Sequence, residues 1–143
     1  MGPFRAELAV VPWAVTEDSP PEAWEVIEKL AEEFHAPLSG LMLRYGIDVP
    51  ASVAGPQLVG AGLAFKALKT AENGSGIVVR CVNVTAMAVE GYWVWPTPIK
   101  RAVLSRLDEA PLQEIVLDDE RRRVRFTARP REVVTIVVEA VAG

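Results

Sequence analysis

The sequence predicts a mainly β fold, an antiparallel β-sandwich carrying one amphipathic helix at about residues 21–35. Three observations lead there. Short runs of alternating apolar and polar residues recur every ten or so residues, the period of strands with one face buried. Clusters of proline, glycine, asparagine and aspartate separate the runs and suit tight turns. Only one segment repeats with helical spacing, so the helix–strand alternation that builds a parallel sheet is missing.

The 143 residues fit a single domain, 1–143, large enough to bury a core without staples. Half of them are apolar, which excludes a disordered segment. A net charge of −4 gives no electrostatic reason to expect nucleic acid or an anionic membrane as partner. The single cysteine, Cys81, excludes an internal disulfide and a cysteine-based zinc site, and it reads as a small buried hydrophobe. The amino-terminal residues lack a basic stretch followed by a long apolar one, and no run reaches the roughly 18 apolar residues of a membrane span. The expected location is the cytoplasm. Two asparagines and two glutamines in the whole chain are few, a compositional hint of a thermophilic source.

In chain order, Phe4 to Pro12 alternates as a first strand, and Pro12 ends it because proline cannot donate to a ladder. The helix follows. Ser19 with Glu22 forms a capping-box pattern, and Pro20 and Pro21 suit a first turn. Trp24, Ile27, Ala31 and Phe34 then repeat on one face, widened by Val26 and Leu30, while glutamates and Lys29 fill the other. That apolar stripe is expected to pack on a sheet. Pro37 stops the helix. Leu38 to Tyr45 fits a short strand, and Gly46 to Pro56 a loop.

Gln57 to Asn83 is the most strongly patterned stretch. Val59, Ala61, Leu63, Phe65 and Ala67 alternate along its first half, and Ile77, Val79 and Cys81 oppose Val78, Arg80 and Val82 in its second. Between them Glu72-Asn73-Gly74-Ser75-Gly76 supplies the positive-φ positions of a hairpin loop. Thr85 and Ala86 form a turn. Met87, Val89, Gly91, Trp93 and Trp95 then share a face, until Pro96 and Pro98 break the strand. Ile99 to Leu107 alternates again, and Asp108 to Pro111 turns the chain. Leu112–Leu117 and Arg123–Ala128 flank a turn at Asp118 to Arg121, and Arg131 to Ala140 closes as a β-branched strand.

Few residue sets here could carry chemistry. His35 is the only histidine, so multi-histidine zinc sites are excluded, and no GxSxG elbow accompanies it. Near the helix C-terminus it reads as a capping side chain. Gly60-Ala61-Gly62 falls inside a strand pattern; it is no dinucleotide fingerprint, and glycines so placed let a neighbouring element approach. The acidic residues offer no pair across a cleft. Arg121, Arg122, Arg123, Arg125, Arg129 and Arg131 alternate with acids, as on a hairpin tip and its strands. Arg80, flanked by Val78 and Val82, is expected to be partly buried and paired, with Glu72 a conceivable partner. Tyr92, Trp93 and Trp95 are the lead for ligand binding. Exposed, they would form a sugar-stacking platform; buried, they are core.

Ala64 to Thr85, AFKALKTAENGSGIVVRCVNVT, resembles the C-terminal β-domain of the α-mannosidases of glycoside hydrolase family 38, with Ala67, Leu68, Lys69, Ala71, Glu72, Arg80 and Asn83 at the matching positions. Weaker similarities occur in the same order at Phe4–Pro12, Ala31–Leu38, Leu107–Leu112 and Glu132–Val137. Trp13 stands where the family strand has a histidine after its proline, a departure from the pattern. The ordered set carries the resemblance, and it spans nearly the whole chain.

The resemblance implies a negative about catalysis. In that family the chemistry belongs to an N-terminal α/β domain that holds zinc through aspartates and a histidine and uses an aspartate nucleophile. Nothing in this sequence matches those motifs, so no catalytic residue, metal ligand or cofactor is carried over, and the chain is not expected to be an enzyme on its own. The β-domains pack on the catalytic part, and this chain looks like such an accessory domain. Lys69, Glu72, Arg80 and Asn83 are the matched polar positions, with a structural duty expected. The implied partner is a catalytic mannosidase chain; the alternatives are a stand-alone carbohydrate-binding module using Trp93 and Trp95, and a homo-oligomer formed through an unmet apolar face.

Overall fold

The computed structural model describes residues 8, 10–16, 18–35 and 54–141. Among these it forms one helix, α1 (Pro21–His35), and eight strands: β1 (Gln57–Val59), β2 (Leu63–Thr70), β3 (Ile77–Asn83), β4 (Val89–Val94), β5 (Ile99–Ser105), β6 (Pro111–Glu114), β7 (Arg123–Ala128) and β8 (Val133–Ala140). Two antiparallel sheets result, a three-stranded one in the order β1-β4-β7 and a five-stranded one in the order β2-β3-β8-β5-β6. The mainly β sandwich with its single helix is therefore the observed architecture.

The core lies between the sheets. Val79 and Cys81 from β3, Val134, Ile136 and Val138 from β8 and Ala102 from β5 meet Trp93 from β4 and Val124 and Ala128 from β7. Cross-strand partners lie on the same face, so the pairings Cys81↔Val134 and Val79↔Ile136 stack these side chains into one inner layer. Burial without polar neighbours pushes the Cys81 thiol up to about 12, the behaviour of a structural cysteine.

Several expectations are corrected. Leu8, Val10, Val11 and Pro12 are irregular and exposed rather than strand, and the rest of Phe4–Pro12 lies outside the described residues, as does Leu38–Tyr45. The Ser19 hydroxyl accepts a hydrogen bond from the Thr16 amide at 2.8 Å instead of capping the helix. It serves the turn before the helix, whose first bond runs from the Ala23 amide to the Pro20 carbonyl, 3.0 Å. Leu112–Leu117 shortens to β6, which begins at Pro111, and Ile99–Leu107 ends at Ser105.

The long alternating run from Val59 is not one strand. Gly60-Ala61-Gly62 is a crossover that carries the chain from the three-stranded sheet into the five-stranded one. Gly62 sits at φ 82°, and a Cβ there would collide with the Thr85 side chain. Close approach, the reason for glycine foreseen at this site, holds; its place inside a strand does not. A bulge between Phe65 and Ala67 then shifts the phase, so that Leu68 rather than Ala67 pairs with core-facing Val79. In the hairpin loop Gly74 supplies a positive φ of 73°, whereas Asn73 contributes its side chain, accepting from the Ser75 amide at 2.9 Å and hydroxyl at 2.7 Å.

Polar contacts and Trp24 attach α1 beside β2. The Glu25 carboxylate accepts from the Gly62 amide, Lys66 pairs with Glu28 at 2.5 Å, and the Arg131 guanidinium lies 4.7 Å from the Trp24 ring centroid. Trp24 and Ile27 on the predicted stripe are half-buried, while Ala31 and Phe34 remain exposed.

Candidate functional site

Three constellations involve the residues that the sequence singles out. The first centres on Asn83, the last residue of β3, which is fully buried. Its Nδ2 donates to the carbonyls of Met87 (2.6 Å), Arg129 (2.9 Å) and Ala128 (3.2 Å). Its Oδ1 accepts from the Thr85 amide at 2.9 Å and the Thr85 hydroxyl at 2.8 Å. A neutral amide with both ends satisfied is the kind of polar group a dry interior accommodates. Here it joins the end of β3, the 85–87 bend and the β7–β8 connection. Arg131, at φ 59°, adds to the junction by donating to the Val84 carbonyl through its guanidinium.

The second constellation lies on the outer face of the five-stranded sheet. Lys69 and Glu109 form an ion pair at 2.6 Å, and Lys69 also donates to Glu72 at 3.3 Å. The other Glu109 oxygen accepts from the Glu72 amide at 2.8 Å. Arg80 donates to the Leu107 carbonyl at 2.6 Å and lies 3.7 Å from the Glu109 carboxylate. Arg80 is thus partly buried and paired as expected, but with Glu109, because the Leu107–Pro111 turn folds back over the β2–β3 hairpin while Glu72 points to Lys69. The Lys69 hydrogen bond, with the Glu72 amide next, holds the Glu109 carboxyl below its usual range; the same bond raises Lys69. Glu109 carries this cluster, and the sequence showed it only as a turn residue within Leu107–Leu112.

The third constellation is aromatic. Trp93 and Trp95 are 1% and 6% exposed and belong to the core cluster, and Phe65 meets Trp93 edge-on with ring centroids 6.2 Å apart. The exposed pair that a sugar platform requires is replaced by two buried rings. Their common face is the inner one, a choice alternation cannot make. Tyr92 lies on the opposite, outer face of β4, half-buried, with the Arg123 guanidinium 5.7 Å from its ring centroid.

The basic run is divided among local duties. Arg121 donates to the Ile99 carbonyl at 2.9 Å, Arg129 pairs with Glu132 at 3.1 Å, and Asp118 accepts from the Arg122 amide at 2.9 Å. Those backbone bonds, the Arg122 amide foremost, hold Asp118 below its usual pKa. Among the described residues no three His, Cys, Asp or Glu side chains gather to hold a metal, and no helix is long and apolar enough to cross a membrane.

Geometry of this kind defines a β-sandwich domain whose polar side chains tie loops to strands rather than converge on a reacting centre. Residues 62–136 match the glycosyl hydrolases family 38 C-terminal beta sandwich domain, and the chain belongs to that family. It is the C-terminal sandwich, a non-catalytic part of those enzymes. Comparisons with curated proteins and with solved structures returned no match.

Proposed function

We propose that this chain is an accessory domain that packs on and completes a separate catalytic chain of the α-mannosidase type. Family membership supports this, and one structural observation carries it: the five-stranded sheet is wider than its three-stranded cover. Phe65 and Leu68 pair with core-facing Cys81 and Val79, so both point inward, yet they are 43% and 50% exposed. Inward-facing apolar side chains left in water at a sheet rim are the signature of a surface that another element covers. The burial of Trp93 and Trp95 removes the exposed rings on which a stand-alone sugar-binding module would depend.

The test is co-purification. A tagged chain is captured from a lysate of the source organism, and the eluate is assayed for α-mannosidase activity. Activity is expected with the wild type and is expected to fall for Phe65→Glu with Leu68→Glu. Capture of the chain without any glycosidase, or turnover by the purified chain alone, would overturn the proposal.

A further inference from the structure

Among the described residues the opposite rim of the sandwich ends on β7, which there pairs with β4 alone. The phase of that ladder shows which backbone groups are left over. The Trp95 amide donates to the Arg122 carbonyl at 2.8 Å, so Trp95 and Arg122 are a hydrogen-bonded pair. Alternation along an antiparallel ladder then assigns Trp93–Val124, Gly91–Phe126 and Val89–Ala128 to the same class. The amides and carbonyls of Arg123, Arg125 and Thr127 therefore point away from β4. The Arg123 amide is taken by the Asp118 carboxylate at 3.3 Å. Among the described residues nothing takes the backbone groups of Arg125 and Thr127.

Beside this edge the five-stranded sheet overhangs. An open gap of about 450 Å³ separates β7 from the β6 side, lined by Leu104, Gln113, Ile115, Val116 and Phe126, by Glu114, which pairs with Arg101, and by Arg125 and Thr127 of the edge itself. Leu104 pairs with Gln113 on the inner face, and Ile115, Leu104 and Phe126 pack against the core only in part. A fourth strand next to β7 would fill this gap with every second side chain. Its other side chains would lie beside Arg123 and Arg125 on the outer face, where Arg125 has no ion pair among the described residues and Arg123 rests on Tyr92.

We propose that the free edge of β7 is a strand-addition site. It takes an extended segment of another chain that places apolar residues over Leu104, Ile115 and Phe126 and carboxylates beside Arg123 and Arg125. Main-chain bonds to Arg125 and Thr127 supply the pairing, and the alternating side chains supply the selectivity. Charge sets the occupant. A second copy paired antiparallel about Arg125 would bring two like guanidinium groups together, the arrangement that keeps edges from self-pairing. Glu90, which pairs with Thr127 on the outer face, turns a carboxylate away from that end, so the acidic positions fall at the Arg123 end. The site is independent of whether the incoming strand belongs to a catalytic chain.

The probe is an acetylated, amidated, fluorescein-labelled hexapeptide alternating valine and glutamate, followed by anisotropy and by amide hydrogen exchange. Two variants separate backbone from charge. Thr127→Pro removes an outward amide and leaves the β4 ladder whole; Arg125→Glu reverses the charge and leaves the edge intact. The expected result is saturable binding with new protection at Arg125 and Thr127. Binding should weaken at least about tenfold for each variant and for a valine–lysine peptide. Absence of binding up to about 1 mM peptide would overturn the proposal. So would equal binding of acidic and basic peptides, or insensitivity to Thr127→Pro. Sedimentation showing a dimer that Thr127→Pro dissolves would overturn it too, by making a second copy the occupant.

Discussion

The Asn83 junction and the Lys69–Glu109–Arg80 bridge both tie the β2–β3 hairpin to other segments and handle polarity in opposite ways. Asn83 is neutral, fully buried, and holds three carbonyls and Thr85. The bridge is charged and opens to water at Lys69 and Glu72, 37% and 77% exposed, around a Glu109 side chain that is 9% exposed. Removing the amide from the first leaves the buried Thr85 amide without its acceptor and strips one bond from each of three carbonyls. Removing a partner from the second lets water and salt take its place. The difference teaches where the fold is vulnerable: at the neutral amide, not at the denser array of charges.

The largest effect is expected from Asn83→Ala. It removes five hydrogen bonds at once, leaves the buried Thr85 amide without an acceptor and takes one of two donors from each of the Met87, Ala128 and Arg129 carbonyls, and it should cost about 2–4 kcal/mol in urea unfolding. A loss no greater than that of a bridge variant would break the comparison. Gly62→Ala sharpens it from the other side of the junction. The Gly62 carbonyl accepts from the Val84 amide at 2.9 Å, and its φ of 82° with Thr85 against it leaves no room for a methyl group. A cost of about 1–3 kcal/mol is expected, read as a lowered melting temperature with the spectrum of the fold retained.

Glu109→Gln should be the mildest, and its signature is its dependence on conditions. Because the folded Glu109 pKa is depressed, its contribution is present above the ordinary carboxylate value of about 4.3 and is lost as pH falls through the folded value. Lys69 is raised, so its contribution is complete below about 10.4 and is lost as pH rises through the folded value. The difference between wild type and Glu109→Gln should therefore vanish in acid and shrink in about 1 M salt. Thermal melts across pH and salt test this, and a constant difference would mean that Glu109 acts through packing instead.

Local pattern proved informative where one element has one clear face. The helix at Pro21–His35 and β7 at Arg123–Ala128 lie where periodicity placed them, because both periods follow from backbone geometry alone. It proved uninformative where both faces are apolar. Val78 and Val79 are each fully buried, on opposite faces of β3, so alternation could not choose between them. The same ambiguity left Trp93 and Trp95 open to two readings, of which the core took both rings. Of the matched polar residues, Arg80 was foreseen as paired, but its partner Glu109 belongs to a different hairpin, and no spacing rule reaches that far.

The sequence by itself determined that this is a sandwich with one helix and, through an ordered series of motifs, which family it belongs to. Turn chemistry and side-chain period are properties of neighbouring residues, and neighbours are what a sequence displays. Only the tertiary structure decided that Gly60–Gly62 switches sheets, that Asn83 gathers three segments, and that β7 is the last strand of its sheet among the described residues. Those outcomes depend on which surfaces meet through space, where burial and hydrogen-bond satisfaction across distant segments outweigh local preference.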